Sequence, residues 1–232
     1  MKHTLIYSSL SLVISLLLVV LIVHVQGQRS LPDLSPKDQL IFVENFESEE
    51  SLKKFKIGQA DLGHSAGQED SPAWRIENGQ LRAENAHNAA LWLKTPLPLG
   101  DIRIVFLATA LSEQGDVKCE VFGDGSNHQS GYILINGGWK NSVRAIARQD
   151  EHGEDRHDDH RCSTGPTHRC VPENQTQEWV IERRGSRIDW YIDGVFTLTL
   201  SDAHPIQGRH FGFNNWSAAV LFDHLRIYQL SE

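Results

Sequence analysis

The chain has 232 residues, of which 40% are hydrophobic and 22% charged, so it has the apolar content to bury a core and does not read as disordered. Its formal net charge of −8, with no cluster of Lys and Arg, excludes nucleic acid as a partner, because a phosphate backbone demands a basic stripe. Without the N-terminal segment about 200 residues remain, which suits one large β-sandwich better than two domains.

Residues 1–27 open with Lys2 and continue in a nearly unbroken apolar run over residues 5–25. That length spans a hydrocarbon core of about 30 Å as a helix. The segment therefore reads as a signal anchor, or, with Val25-Gln26-Gly27 ahead of Gln28 as a cleavage site, as a signal peptide. In both cases Lys2 stays in the cytoplasm and the rest is translocated. The expected location is extracytoplasmic, either single-pass membrane-anchored through this segment or secreted or periplasmic. Residues 28–38, with Pro32 and Pro36, read as a linker, and residues 39–232 as the folded domain.

From there the chain alternates apolar and polar residues over short stretches that break at Gly, Pro, Asn or Asp, the pattern of strands and turns. Strands are expected over residues 40–46, 73–77, 80–84, 90–94, 102–111, 117–122, 132–135 and 143–149. Residues 178–184 and 187–192 read as a hairpin about Gly185-Ser186, and Asp193-Gly194 as a second tight turn into 195–200. Residues 211–214 and 220–228 complete the set. Only residues 48–56 have a helical look, with Ser48 as N-cap and acids in the first turn. Many strands without βαβ spacing point to two packed antiparallel sheets, an all-β sandwich.

Cys162 and Cys170 bracket a turn-rich loop suited to a disulfide in an oxidising compartment. Cys119 shares an alternating face with Val117 and Val121 and is expected in the core.

The run Glu178-Trp179-Val180-Ile181-Glu182-Arg183-Arg184-Gly185-Ser186-Arg187-Ile188-Asp189-Trp190-Tyr191-Ile192-Asp193-Gly194 resembles hairpins of the concanavalin A-like lectin/glucanase superfamily. Gly208-Arg209-His210-Phe211-Gly212-Phe213 and Leu221-Phe222-Asp223-His224-Leu225-Arg226-Ile227-Tyr228 look like its closing strands. Trp74-Arg75-Ile76-Glu77-Asn78-Gly79-Gln80-Leu81 and Leu91-Trp92-Leu93-Lys94-Thr95 are similar to laminin G-like and keto-disaccharide-hydrolase-like members. The resemblance covers residues 40–228 and implies an antiparallel jelly-roll sandwich; its motifs are turn and core positions and say little about chemistry.

Three constellations carry candidate chemistry. Sugars stack on aromatic rings and bond to planar polar groups, and Asn136-Gly137-Gly138-Trp139-Lys140-Asn141 and Asn214-Asn215-Trp216-Ser217 supply both. Trp139 and Trp216 are the expected stacking platforms, with Asn136, Asn141, Asn214 and Asn215 beside them. The His- and acid-rich stretch over residues 150–162 includes His157 and His160, donors suited to a divalent cation if a helical turn brought them together. Laminin G-like sandwiches often hold Ca²⁺, and the resemblance places Glu44 and Asp223 in the matching end strands, although calcium needs six to eight oxygens. The E-x-D-x-E strand motif of retaining glucanases is absent, as are Ser-His-Asp, phosphate-loop and zinc-protease patterns. Asn174-Gln175-Thr176 and Asn215-Trp216-Ser217 match the N-glycosylation pattern.

The sequence therefore favours a carbohydrate-binding domain over an enzyme. The alternatives are a glycoside hydrolase or lyase acting through loop-borne His157 and Asp159, and an envelope scaffold for protein contacts.

Overall fold

A computed structural model of the chain describes residues 29–60, 64–67, 71–164 and 168–231. Among these the strands are β1 (Gln39–Glu44), β2 (Phe55–Ile57), β3 (Trp74–Glu77), β4 (Gln80–Ala83), β5 (Leu91–Leu93), β6 (Ile102–Ala110), β7 (Val117–Gly123) and β8 (Tyr132–Gly137). They continue with β9 (Val143–Arg148), β10 (His157–Asp159), β11 (Thr176–Arg184), β12 (Arg187–Ile192), β13 (Val195–Ser201), β14 (His210–Asn214) and β15 (Val220–Gln229). Sheet A runs β13-β12-β11-β6-β15-β4-β3, with β1 also on β15; sheet B runs β10-β9-β8-β7-β14-β5-β2. Every pairing is antiparallel.

Period-two alternation explains the two layers. In β7, Val117, Cys119 and Val121 are buried between the sheets, and each apolar side chain placed there contributes about 1.5–3 kcal/mol. The centre is aromatic: Phe106 stacks on Trp179 at 5.3 Å and Trp179 meets Trp190 at 4.6 Å, so both tryptophans of the β11–β12 hairpin belong to the core. The turns follow their residues, with Asp193 and Gly194 both at positive φ (51° and 73°), as a two-residue hairpin turn requires.

The structure departs from the sequence reading in three places. Residues 49–54 form a 3₁₀ turn, and the Ser48 side chain makes no cap. Glu44 takes the Ser51 hydroxyl instead, and the chain enters β2 at once, which leaves no length for an α-helix. β2 itself begins inside the stretch expected to be helical. β10 is the second unexpected strand, a polar His-Asp-Asp segment at the edge of sheet B.

Residues 29–38 do not hang free. Arg29 bonds Asp189 at 3.1 Å, Ser30 bridges to Val195, and the buried Arg103, paired with Glu182 at 2.7 Å, also donates to the Pro32 carbonyl. The apolar run over residues 5–25 lies outside the described residues; among those described, no helix is long and apolar enough to cross a membrane.

Candidate functional site

On the face of sheet B turned away from the core, β7 carries the polar Lys118 and Glu120, which the fold covers. Register places Lys118 opposite Ile135 and Asn214, and Glu120 opposite Ile133 and Gly212. Trp92 of β5, opposite Gly212, is fully buried. A Cβ on Gly212 would meet its indole at 2.8 Å, so only glycine lets the ring lie flat there. His128 and the Gln129 N–H fold over Glu120 at 2.6 and 3.0 Å, and Asn214 donates to it at 2.6 Å. These loops leave one end of the face open.

The opening is a cleft of about 390 Å³. Lys118 and Ile135 lie at its floor, Asp116 at the entry to β7, and Glu151 and His152 along one side; Trp139, Lys140, Trp216 and Ser217 also line it. Lys118 is buried and donates to Glu151 at 2.8 Å and to the Asn88 side-chain oxygen at 3.1 Å. Burial works against charge on both partners, but the neighbouring acids hold the ammonium above its usual range, and Lys118 with its hydrogen bond holds Glu151 below the usual carboxylate range. Asp116 is pushed the other way: burial raises it, Glu151 adds to the rise, and Lys118 only partly offsets it.

The backbone around the cleft is unusual. Trp139 (φ 50°, ψ 62°), Lys140 (φ 63°, ψ 43°) and Asn141 (φ 61°) follow one another in the left-handed region, forming a single left-handed turn after β8. Each such residue costs of order 1–2 kcal/mol. Asn141 holds the turn in place: it is buried, its Oδ1 accepts from the Cys170 and Val171 N–H groups at 3.0 and 2.8 Å, and its Nδ2 donates to the Glu113 and Val171 carbonyls at 3.0 and 2.8 Å. The Cys162–Cys170 disulfide closes behind it. Trp139 is left 39% exposed at the rim, with the Arg156 guanidinium 4.3 Å from its ring centroid and His152 edge-on at 5.8 Å, a cation–π contact that orients the indole. Trp216 is half-buried and packs edge-on to His64 at 5.0 Å and His87 at 4.9 Å.

The structure thus brings Trp139 and Trp216 to one cleft, together with the start of the His- and acid-rich stretch. The four asparagines are placed differently. Asn136 donates to Gln177 and accepts from Arg144; Asn214 bonds Glu120; Asn215 accepts from the Ala86 N–H and donates to the Ala218 carbonyl. All four are at most 1% exposed and serve the frame that carries the tryptophans. A buried Asn215 is also closed to glycosylation, whereas Asn174 lies exposed in a turn.

The expected metal donors are otherwise engaged. Glu44 is held by the Phe46 N–H, Ser51 and the Lys54 ammonium, which already supplies its positive charge. Asp223 bonds the His224 N–H and ring. His157 lies in an extended strand against the Thr199 carbonyl and His160 beside Asp158, so no helical turn pairs them. Among the described residues no group of three or more His, Cys, Asp or Glu is placed to hold a metal ion.

Glu151 belongs to the His- and acid-rich stretch, but Asp116, Lys118 and Glu120 were not singled out from the sequence. Their signal was present: Asp116-Val117-Lys118-Cys119-Glu120 alternates as strictly on its polar face as on its apolar one.

A second cavity, of about 880 Å³, lies near the β12–β13 turn and is lined by Arg29, Arg144, Arg161 and Phe196 among others. Arg29 covers the Phe196 ring and Arg161 is spent on Asp159.

No family model matches the chain, and no curated protein does. Solved structures do match in fold. The carbohydrate-binding module CBM66 from Bacillus subtilis is 14% identical, with a TM-score of 0.52 over 74% of this chain and 99% of that one. The endo-β-1,3-glucanase from Pyrococcus furiosus is 12% identical, with a TM-score of 0.57 over 88% and 99%. The laminarinase catalytic domain from Thermotoga maritima is 13% identical, with a TM-score of 0.55 over 84% and 99%. The chain has the concanavalin A-like jelly-roll sandwich that these structures share.

Proposed function

We propose that this protein is an extracytoplasmic carbohydrate-binding domain whose ligand occupies the cleft between Trp139 and Trp216. The observation that carries the reading is the convergence of two tryptophans from distant turns on a cleft with a polar floor. Aromatic walls with a few fixed polar groups are what a sugar ring needs. The left-handed backbone that presents Trp139 is strain the core does not require, which favours a functional origin. The named neighbours are a carbohydrate-binding module and two glucan hydrolases, in keeping with this reading. The Cys162–Cys170 bond suits an oxidising compartment, and the apolar run over residues 5–25 tethers or exports the domain.

The test is a glycan array probed with the full-length chain, in a detergent without a sugar headgroup, beside the Trp139→Ala/Trp216→Ala variant. Binding that the double substitution abolishes is the expected result; equal binding by both proteins would sink the proposal.

One observation favours an enzymatic second reading. Asp116 and Glu151 line the same cleft, and with their carboxyls displaced in opposite directions they have the form of an acid–base pair. Polysaccharide turnover that Glu151→Gln abolishes under conditions where the variant is still folded would establish it; a bound glycan recovered intact would rule it out.

A further inference from the structure

The fold satisfies almost every acid around the cleft and leaves one without a donor. Glu120 accepts from Asn214 and the Gln129 N–H and meets His128, Glu151 accepts from Lys118, and the Asp150 carboxyl accepts from the His152 N–H. Asp116 is different. Its N–H bonds the Gly137 carbonyl at 3.0 Å, but its carboxyl borders the cleft and accepts no hydrogen bond from any described residue. It also sits at φ 56°, directly after Gly115 at φ 66°. Asparagine would meet that backbone requirement equally well, so folding does not ask for an acid here. The carboxyl is partly buried at the cleft, and a ligand bearing donors would supply the hydrogen bonds that the protein does not.

The charged groups facing Asp116 also limit what can bind. Lys118, two residues along β7, has given its ammonium to Glu151 and Asn88. Glu151 faces it from the segment after β9, and His152 and Lys140 line the same cleft from that segment and from the left-handed turn. The buried cation is therefore already balanced, while Lys140 stands exposed at the rim, where solvent and salt screen it. An anionic sugar would bring its charge towards two acids with no buried cation to receive it.

Resting on the carbohydrate-binding reading, we propose that Asp116 anchors the ligand: it accepts hydrogen bonds from hydroxyls of a neutral sugar ring seated against Trp139 and Trp216, and it makes the cleft reject uronic and sulfated sugars. Rejection by placed like charge is a common source of specificity. Because hydroxyl donors favour the ionised carboxyl, ligand and proton compete. Acidification through the raised titration range of Asp116 weakens binding.

The experiment titrates the full-length chain, in a sugar-free detergent, with neutral gluco-, manno-, galacto- and fructo-oligosaccharides and with oligogalacturonate and heparin oligosaccharides, between pH 7.5 and 4.5. Wild type is expected to bind a neutral oligosaccharide and to reject both acidic ones. Asp116→Asn is expected to lose roughly tenfold or more in affinity, the scale of a hydrogen bond to a charged group. It should also lose the pH dependence and narrow the gap to the acidic sugars, while unfolding at no lower temperature than wild type. If Trp139→Ala/Trp216→Ala abolishes binding while Asp116→Asn binds like wild type at every pH, the anchoring role is wrong and the carbohydrate reading stands. Preference of the wild type for oligogalacturonate or heparin would overturn the selectivity. Binding of no saccharide by any variant would overturn both.

Discussion

Two carboxyls that interact with one lysine carry opposite signs in the stability of this protein. Glu151 titrates below its unfolded value, so its contribution is present at neutral pH and is lost as pH falls through its folded range. Asp116 titrates above its unfolded value, so its ionised form opposes folding at neutral pH and the penalty fades on acidification. Replacing each with its amide should therefore move stability in opposite directions. At pH 7, Glu151→Gln removes the carboxylate that is hydrogen-bonded to the buried Lys118 and is expected to cost about 3 kcal/mol. Asp116→Asn is expected to be neutral or stabilising. Denaturant unfolding of both variants checks this, and a loss of stability in Asp116→Asn would contradict it. A residue whose removal stabilises the fold but weakens binding marks a functional site.

Such residues were hard to see because the same alternation has two faces. Val117, Cys119 and Val121 announce the core, whereas Asp116, Lys118 and Glu120 read as a solvated surface. Asn88 and Glu151, about thirty residues away on either side, and His128 and Gln129 of the loop after β7 bury Lys118 and Glu120. Asn141 hides for a related reason: in the sequence it stands beside Trp139 like a ligand contact, while its hydrogen bonds run to residues 113, 170 and 171. Asn141→Ala removes these bonds and the side chain best suited to positive φ. A cost of about 3 kcal/mol or more is expected, read as a fall in the thermal midpoint of roughly 6–12 °C.

At the scale of elements, strands with an apolar face were legible, because their alternation and turn residues are local. The strands that escaped are those stabilised by position alone. β10 contributes only His157, Asp158 and Asp159, and an edge strand needs no apolar pattern to pair with β9. β2 follows a 3₁₀ turn so closely that its acids and lysines read as one helix. The left-handed turn was equally hidden, since Trp139 and Lys140 have no intrinsic preference for positive φ, and tertiary bonds impose it. The disulfide is the element that secures those bonds. A Cys162→Ser/Cys170→Ser variant is expected to lose about 2–3 kcal/mol, the chain-entropy value for so short a loop. It should also shift the emission of Trp139, read against Trp139→Phe as reference. Full stability with unchanged emission would show that Asn141 holds the turn unaided.

Across the whole molecule, carboxyls that act as hydrogen-bond acceptors set the acid limit of the fold. Glu44, Glu84, Asp124, Asp159 and Asp202 are all held below their usual values against the opposing effect of burial. Each therefore contributes stability that is present above about pH 4 and is lost on further acidification. Thermal midpoints are expected to be level near neutrality and to fall steeply below about pH 4. The sandwich itself was readable from alternation and turns, while the cleft required separate loops to be folded onto sheet B. A crystal structure of the protein with the neutral oligosaccharide it binds best would locate the ligand outright. The expected result is a sugar ring against Trp139 and Trp216 with a hydroxyl on the Asp116 carboxyl. A glycan seated instead in the cavity beside Arg144 and Phe196, with the tryptophan cleft vacant, would contradict it.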